Sequence, residues 1–180
     1  MTRADKYPAV RLVPYDPGWE DRYVEISTAL MDFLGPGWVV EHVGSTSVPG
    51  LLAKPVIDLA VGMPEGAFLS DASGPFLRAG WTDPEAVGNH RAAHLVIDSL
   101  RAGIAHIFDA SQWPDAHPRL FAEWLRTHED ERDRYASLKY SLVSQGMWGS
   151  DYTEAKTAFV LEVVNRARVA RSLPPVSGPL

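Results

Sequence analysis

The chain has 180 residues, 46% apolar and 22% charged, ordinary for a soluble globular protein and enough for one domain with a sizeable core. A net charge of −6 argues against a broad electrostatic footprint for nucleic acid, while a local basic site for a phosphate stays compatible with it. The absence of cysteine excludes disulfides and thiolate metal sites. With no apolar leader and no run of about 18 apolar residues, the expectation is a cytoplasmic protein without a membrane span.

Asp16 followed by Pro17 reads as a helix start, with Asp as N-cap and Pro at the first helical position. Trp19, Tyr23, Ile26, Leu30 and Phe33 recur at helical spacing, and Gly35-Pro36-Gly37 ends that helix. Two apolar strands follow, 38–43 and 56–61, joined by an irregular or helical link with Pro49 and Gly50. Residues 65–79 are predicted helical, with a break at Gly74-Pro75, and 82–90 is predicted to be a polar loop. Apolar runs at 93–98 and 104–110 form a hairpin around 99–103.

The last third is predicted helical, over 118–127, 130–145 and from near Tyr152 to about 171. Asp151 and Glu154 give the third helix a capping-box pattern, and Phe159, Val163 and Val164 give it an apolar face. A loose tail, 172–180, closes the chain. This order implies an α+β fold: a small mixed β-sheet packed with helices, plus a C-terminal helical cap. The expected unit is single, with a sheet core over about 10–112 and a helical part over 117–171.

The stretch 41–61 carries the chemistry. An acid inside an otherwise apolar strand, here Asp58, is costly to bury without a partner. A strand, a Gly44-Ser45-Thr46 turn and an acid on the next strand describe how nucleotidyltransferases hold a triphosphate and its metal. Gly lets the backbone approach the phosphates, the Ser hydroxyl and free N–H groups donate to them, and the acid binds Mg²⁺. The plain alternative is a strand–turn–strand whose buried acid caps a loop. Two acids at alternate strand positions are common in such sites, but the alternate position here is Ala60.

Other candidates surround this stretch. Lys54, held extended by Pro55, reaches a phosphate or is a solvated surface lysine. His42 lines the pocket or is a hydrogen-bonded core histidine. His106 and Asp109, three apart on one strand, face opposite sides. His94 and Asp98, four apart and on one face of a regular strand, are candidates for the missing carboxylate. His90 and His94 have helical zinc spacing without the accompanying Glu, so zinc is set aside. Tyr152 and Lys156 share a helix face, and the charge run over 126–134 reads as a solvated helix face.

The segment 44–58, GSTSVPGLLAKPVID, resembles the signature of the GrpB family, small proteins with a nucleotidyltransferase fold. Val13-Pro14-Tyr15-Asp16-Pro17 with Trp19, and Ala105-His106-Ile107-Phe108-Asp109, are similar to further blocks of that family. So are Phe121, Trp124-Leu125-Arg126, Tyr135, Leu138-Lys139, and Tyr152 with Glu154-Ala155-Lys156. The resemblance covers about 10–168. It implies nucleotide chemistry, a single acid on the second strand, a retained His106 facing the site, and a Tyr152–Lys156 block reaching back over the pocket. Such domains also occur fused to dephospho-CoA kinase.

Two functions follow. In the first, the protein is a Mg²⁺-dependent, nucleotidyltransferase-like enzyme that binds a nucleoside triphosphate, ATP being expected, and acts on an unidentified small acceptor. Gly44, Ser45, Thr46 and Lys54 hold the phosphates, Asp58 holds the metal, and His106 completes the site or takes the acceptor's proton. In the second, it is a non-catalytic nucleotide-binding accessory or regulatory module.

Overall fold

Strand β2 (Ile57–Gly62) is apolar at every position but Asp58, as befits a strand covered on both faces. It lies inside a five-stranded sheet of order β1-β2-β5-β4-β3, formed with β1 (Val39–Val43), β3 (Glu85–Val87), β4 (His90–Ile97) and β5 (Leu100–Phe108). The β2–β5 pair is parallel and the other pairs are antiparallel. The computed structural model describes residues 12–177.

The side chains of Ile57, Leu59 and Val61 meet one helical layer, α1 (Gly18–Met31) and α2 (Ser73–Arg78), through Trp19, Ile26, Leu30 and Phe76. The opposite face, carrying Val43 and Ala60, receives α3 (His117–Thr127), α4 (Glu129–Ser144) and α5 (Gly149–Ala170) through Leu120, Phe121, Tyr135 and Val163. Asp58 belongs to this second face, at the end the helices leave open.

Several local expectations are corrected. Asp16 does accept the Gly18 N–H, at 2.9 Å, but Phe33 lies beyond the end of α1 and is exposed while Leu34 takes the core position. Gly74-Pro75 does not break a helix, because it falls in the first turn of α2, where a missing N–H has no partner to lose. A 3₁₀ turn, Leu69–Ala72, precedes it. The 82–90 loop contains β3. The β4–β5 turn is Asp98-Ser99, both at positive φ (50° and 65°), the conformation of a tight two-residue hairpin, so residues 100–103 are strand.

Helix α5 starts at Gly149, with Trp148 rather than Asp151 at its N-cap, and the predicted capping box does not form. Residues 172–177 are not loose: Asn165 donates to the Val176 carbonyl and accepts its N–H, at 3.0 and 2.8 Å, and Arg168 Nε donates to the Pro174 carbonyl. The remainder of the predicted tail, 178–180, and the first residues of the predicted core lie outside the described residues.

Candidate functional site

A cavity of about 550 Å³ opens between the second sheet face and the first two turns of α5. Ser45, Thr46, Lys54, Asp58 and His106 all line it. Gly44 stands directly behind Asp58. Its backbone (φ 70°, ψ −172°) is one that side chains rarely adopt, and a Cβ added there would lie 2.2 Å from Asp58 Oδ2. The register Val43↔Asp58 brings the turn and the acid together, so the close approach that the sequence assigns to a phosphate is made here by the carboxylate.

The turn hydroxyls divide their work. Thr46 Oγ1 is bonded to His42 Nε2 at 3.0 Å, while His42 Nδ1 is 3.2 Å from Glu20 and its ring stacks on Tyr23 at 4.7 Å. His42 is therefore a core histidine that fixes the turn, and it is absent from the cavity lining. Ser47 Oγ donates to the Gly44 carbonyl at 2.8 Å. Arg126 closes the turn from α3, donating to the carbonyls of His42 and Ser47 at 2.9 Å each. The 126–134 run is thus not merely a solvated face, and Glu131 is likewise buried, paired with Arg134 and Arg166.

Ser45 Oγ accepts from Lys139 Nζ at 3.1 Å, and the same amine donates to the Leu52 carbonyl. Lys139 is 2% exposed, a depth lysine reaches only with partners. The sequence reading gave it no role. Its signal was present: Glu131, Tyr135, Lys139 and Leu142 recur at helical spacing, placing a lysine on the buried stripe of α4.

Arg101 was placed in a turn and is in fact buried in β5, lining the cavity. The register slips between Leu95 and Val96, so Val96 pairs with Arg101 while Leu95 pairs with Gly103. The extra residue, Ala102, makes a bulge that turns Arg101 onto the same face as Ile104. Lys54 lies 4.1 Å over the Trp148 ring and 4.3 Å over that of Tyr152, and Lys156 is also 4.3 Å from Tyr152. Tyr152 is fully buried, which removes the reading of it as part of a surface pair.

Four cations, Lys54, Arg101, Lys139 and Lys156, therefore face one half-buried carboxylate. Burial pushes Asp58 up to about 6, against the pull of Lys156, Lys54, Arg101 and Lys139. Burial, then repulsion from Lys156, lowers Lys54 to about 7, with Asp58 opposing. Lys139 lies well below the usual lysine range for the same first two causes.

His106 lines the cavity, but its Nδ1 is bonded to His90 Nε2 at 2.9 Å. Burial and the neighbouring His90, His117 and His94 hold it well below the usual histidine range, which opposes use as a base near neutral pH. His90 stacks on Phe108 at 4.8 Å. Asp98 sits at the hairpin tip, away from the cavity, and Asp109 caps a turn by accepting from Ser111 and from the Gln112 N–H at 2.7 and 3.0 Å.

Mg²⁺ is a hard cation that needs oxygen ligands, and a two-metal centre needs several carboxylates. Among the described residues no three His, Asp or Glu side chains gather to hold a metal. The place of a second carboxylate is taken by Ala60, which is fully buried under the C-terminal helices. Among the described residues the only other acid lining the cavity is Glu154, which is exposed. The donor set does not fit a resident Mg²⁺ centre.

The sheet with its helical layers is a nucleotidyltransferase-like fold: the structure of the GLD-2/RNP-8 complex aligns with a TM-score of 0.53 at 11% identity, over 87% of this chain and 61% of that one. Within that class, the chain belongs to the GrpB protein family, which it matches over residues 9–166. A conserved protein GrpB from Enterococcus faecalis superposes with a TM-score of 0.75 at 25% identity, covering 89% of this chain and 99% of that one. A UPF0157 protein from Streptomyces coelicolor is 33% identical over 90% of this chain and 86% of its own length. A dephospho-CoA kinase from Mycobacterium tuberculosis is 28% identical over 87% of this chain, which spans 46% of that protein. Among the described residues no helix is long and apolar enough to cross a membrane.

Proposed function

We propose that the cavity binds a nucleotide, ATP in the first instance, or a related small phosphorylated molecule, and that it does so as a binding module without a resident metal. One observation carries this reading: four cationic side chains and the Ser45 hydroxyl converge on a cavity that holds a single half-buried carboxylate. In a metal-dependent transferase, carboxylates hold cations that neutralise the phosphates. Here lysines and an arginine occupy that role directly, as point charges and a fork of donors suited to phosphate oxygens. The nucleotidyltransferase-like fold and the relationship to part of a dephospho-CoA kinase support a nucleotide-sized ligand.

Calorimetric titration with ATP, ADP, AMP and pyrophosphate, each with Mg²⁺ and with chelator, tests the reading. Binding that persists in chelator and weakens with salt is expected. Binding that requires Mg²⁺ would restore the transferase reading, with Asp58 and the ligand's own phosphates holding the ion. No binding of any phosphate compound would overturn the proposal.

A further inference from the structure

Lys139 is the innermost cation of the cavity. Its amine is sealed against the Leu52 carbonyl and Ser45 Oγ, with the Tyr135 ring 4.7 Å away. Lys54 stands against the aromatic wall made by Trp148 and Tyr152 and lines the same cavity.

We infer that the ligand ends in a free phosphate monoester seated between Ser45, Lys54 and Lys139, and that its binding carries protons into the cavity. The inference rests on the phosphate-binding reading above and narrows it. A terminal phosphate has three free oxygens and approaches two negative charges at neutral pH. Three donors, one hydroxyl and two amines, match three oxygens. A phosphodiester has two free oxygens and a single charge, so it offers these donors one acceptor oxygen and one charge fewer.

The charge balance of the cavity explains the protons. Asp58 faces the amines from β2, Arg101 and His106 from β5, His94 from β4, and Lys156 with Glu154 from α5. Cations crowded together out of water lose protons until the repulsion eases. Lys54, lowered to about 7, and Lys139, lowered further, are the groups so affected. A dianion placed between them removes the repulsion and restores the ammonium form of both. No covalent bond changes; the protons come from the buffer.

The test is calorimetry in slightly alkaline solution with two buffers of different ionisation enthalpy. The probes are AMP, a monoester, with ADP, whose terminal phosphate is likewise monosubstituted, and cyclic AMP and the dinucleotide ApA as diesters. The monoesters are expected to bind with net proton uptake, and the diesters to bind more weakly by roughly ten- to hundredfold, the worth of one charge-assisted hydrogen bond. Lys54→Arg, whose guanidinium keeps its proton, is expected to bind monoesters with reduced uptake. Equal affinity for monoester and diester, or a heat independent of buffer, would overturn this inference and leave phosphate binding standing. Failure of every probe to bind would overturn both. The comparison of probes uses the unmodified protein, so it does not depend on the variant folding.

Discussion

Two clusters of buried titratable groups sit on the same sheet face, and they answer burial in opposite ways. At the α3 end, His90, His106 and His117 lie ring to ring, 5.1 to 6.5 Å between centroids, with the His90–His106 hydrogen bond joining two of them. Burial lowers His90 to about 4 and His117 to about 3. A histidine surrenders its proton near pH 6.5 in any case, so keeping these rings neutral at pH 7 costs only tenths of a kcal/mol. At the other end, Lys54 is displaced from 10.5 to about 7, an adjustment on the order of a few kcal/mol. The histidines need no ligand to be at ease, whereas the lysines need an anion. Depth of burial alone does not separate the two clusters; how far each group's ordinary pKa lies above neutral pH does.

The largest expected effect tests how firmly the lysine end is tied to the backbone. Gly44→Ala adds a Cβ into the Asp58 carboxylate at a φ of 70°. Strain and overlap together should cost about 3 kcal/mol or more in urea unfolding. A loss below about 1 kcal/mol would mean that Asp58 moves freely, and that the geometry of this end is not fixed by the turn.

Next comes Lys139→Met. It removes a buried charge, which favours folding, and leaves the Leu52 carbonyl and Ser45 hydroxyl without that donor, which opposes it. The melting temperature should change little, while affinity for ADP falls by about a hundredfold, the upper worth of a charged hydrogen bond. His90→Phe, at the other cluster, should leave ADP affinity untouched. Equal losses from both substitutions would erase the distinction drawn between the ends.

Below pH 7 the histidine end loses stability. A group whose folded-state value is lowered leaves the unfolded chain holding more protons, so stability is full above about pH 6.5 and falls as the pH drops toward the folded value. For His90 that window runs from 6.5 down to about 4, and the loss between pH 7.5 and 5 is on the order of 2 kcal/mol. His106, His117 and His42 are lowered too and add to it. Asp58, raised to about 6, works the other way over 6 to 3.8 and offsets roughly one histidine. Chemical denaturation at stepped pH should show the decline. His117→Phe, which replaces a ring whose Nδ1 has no hydrogen-bond partner, should shallow it.

The sequence made one cluster more legible than the other. Ser45, Thr46, Lys54, Asp58 and His106 come from a contiguous motif and one strand, and the structure brings them to one cavity. Lys139 and Arg101 were missed for different reasons. The first comes from a helix 94 residues away from Ser45, where only a lysine on a buried stripe marks it. The second depends on a one-residue bulge, which no alternation pattern announces and which reverses the face of every residue beyond it. Likewise the hairpin turn falls on Asp98-Ser99, two non-glycine residues at positive φ, and not on the predicted 99–103. Most strands and helices were readable from periodicity, with β3 and the 65–72 part of the predicted second helix as exceptions; the chain reversals that set which side chains face the cavity were not.

The smallest effect separates the two roles open to Asp58. Substitution by Asn keeps the shape of the side chain and its contact with Gly44, so the fold should hold. It removes the half-buried negative charge that faces Lys54, Lys156, Arg101 and Lys139. If the cavity receives phosphate directly, that carboxylate repels the ligand, and Asp58→Asn should tighten ADP binding by a few-fold in chelator, a gain of about 1 kcal/mol for one partly screened charge. The substitution should also move the pH dependence of binding, since Asp58 holds its proton up to about 6 and is neutral in the wild type below that value. The gain should therefore be full above pH 6 and vanish as the pH falls below it. A metal ligand would behave in the reverse sense: the amide is a poorer partner for a hard cation, and affinity in Mg²⁺ would drop while affinity in chelator stayed the same. Titrations of wild type and variant at pH 7.5 and 5.5, with and without Mg²⁺, give each outcome a distinct signature. Tighter binding in chelator at the higher pH alone marks Asp58 as the counter-charge that competes with an incoming phosphate for the cations of the cavity.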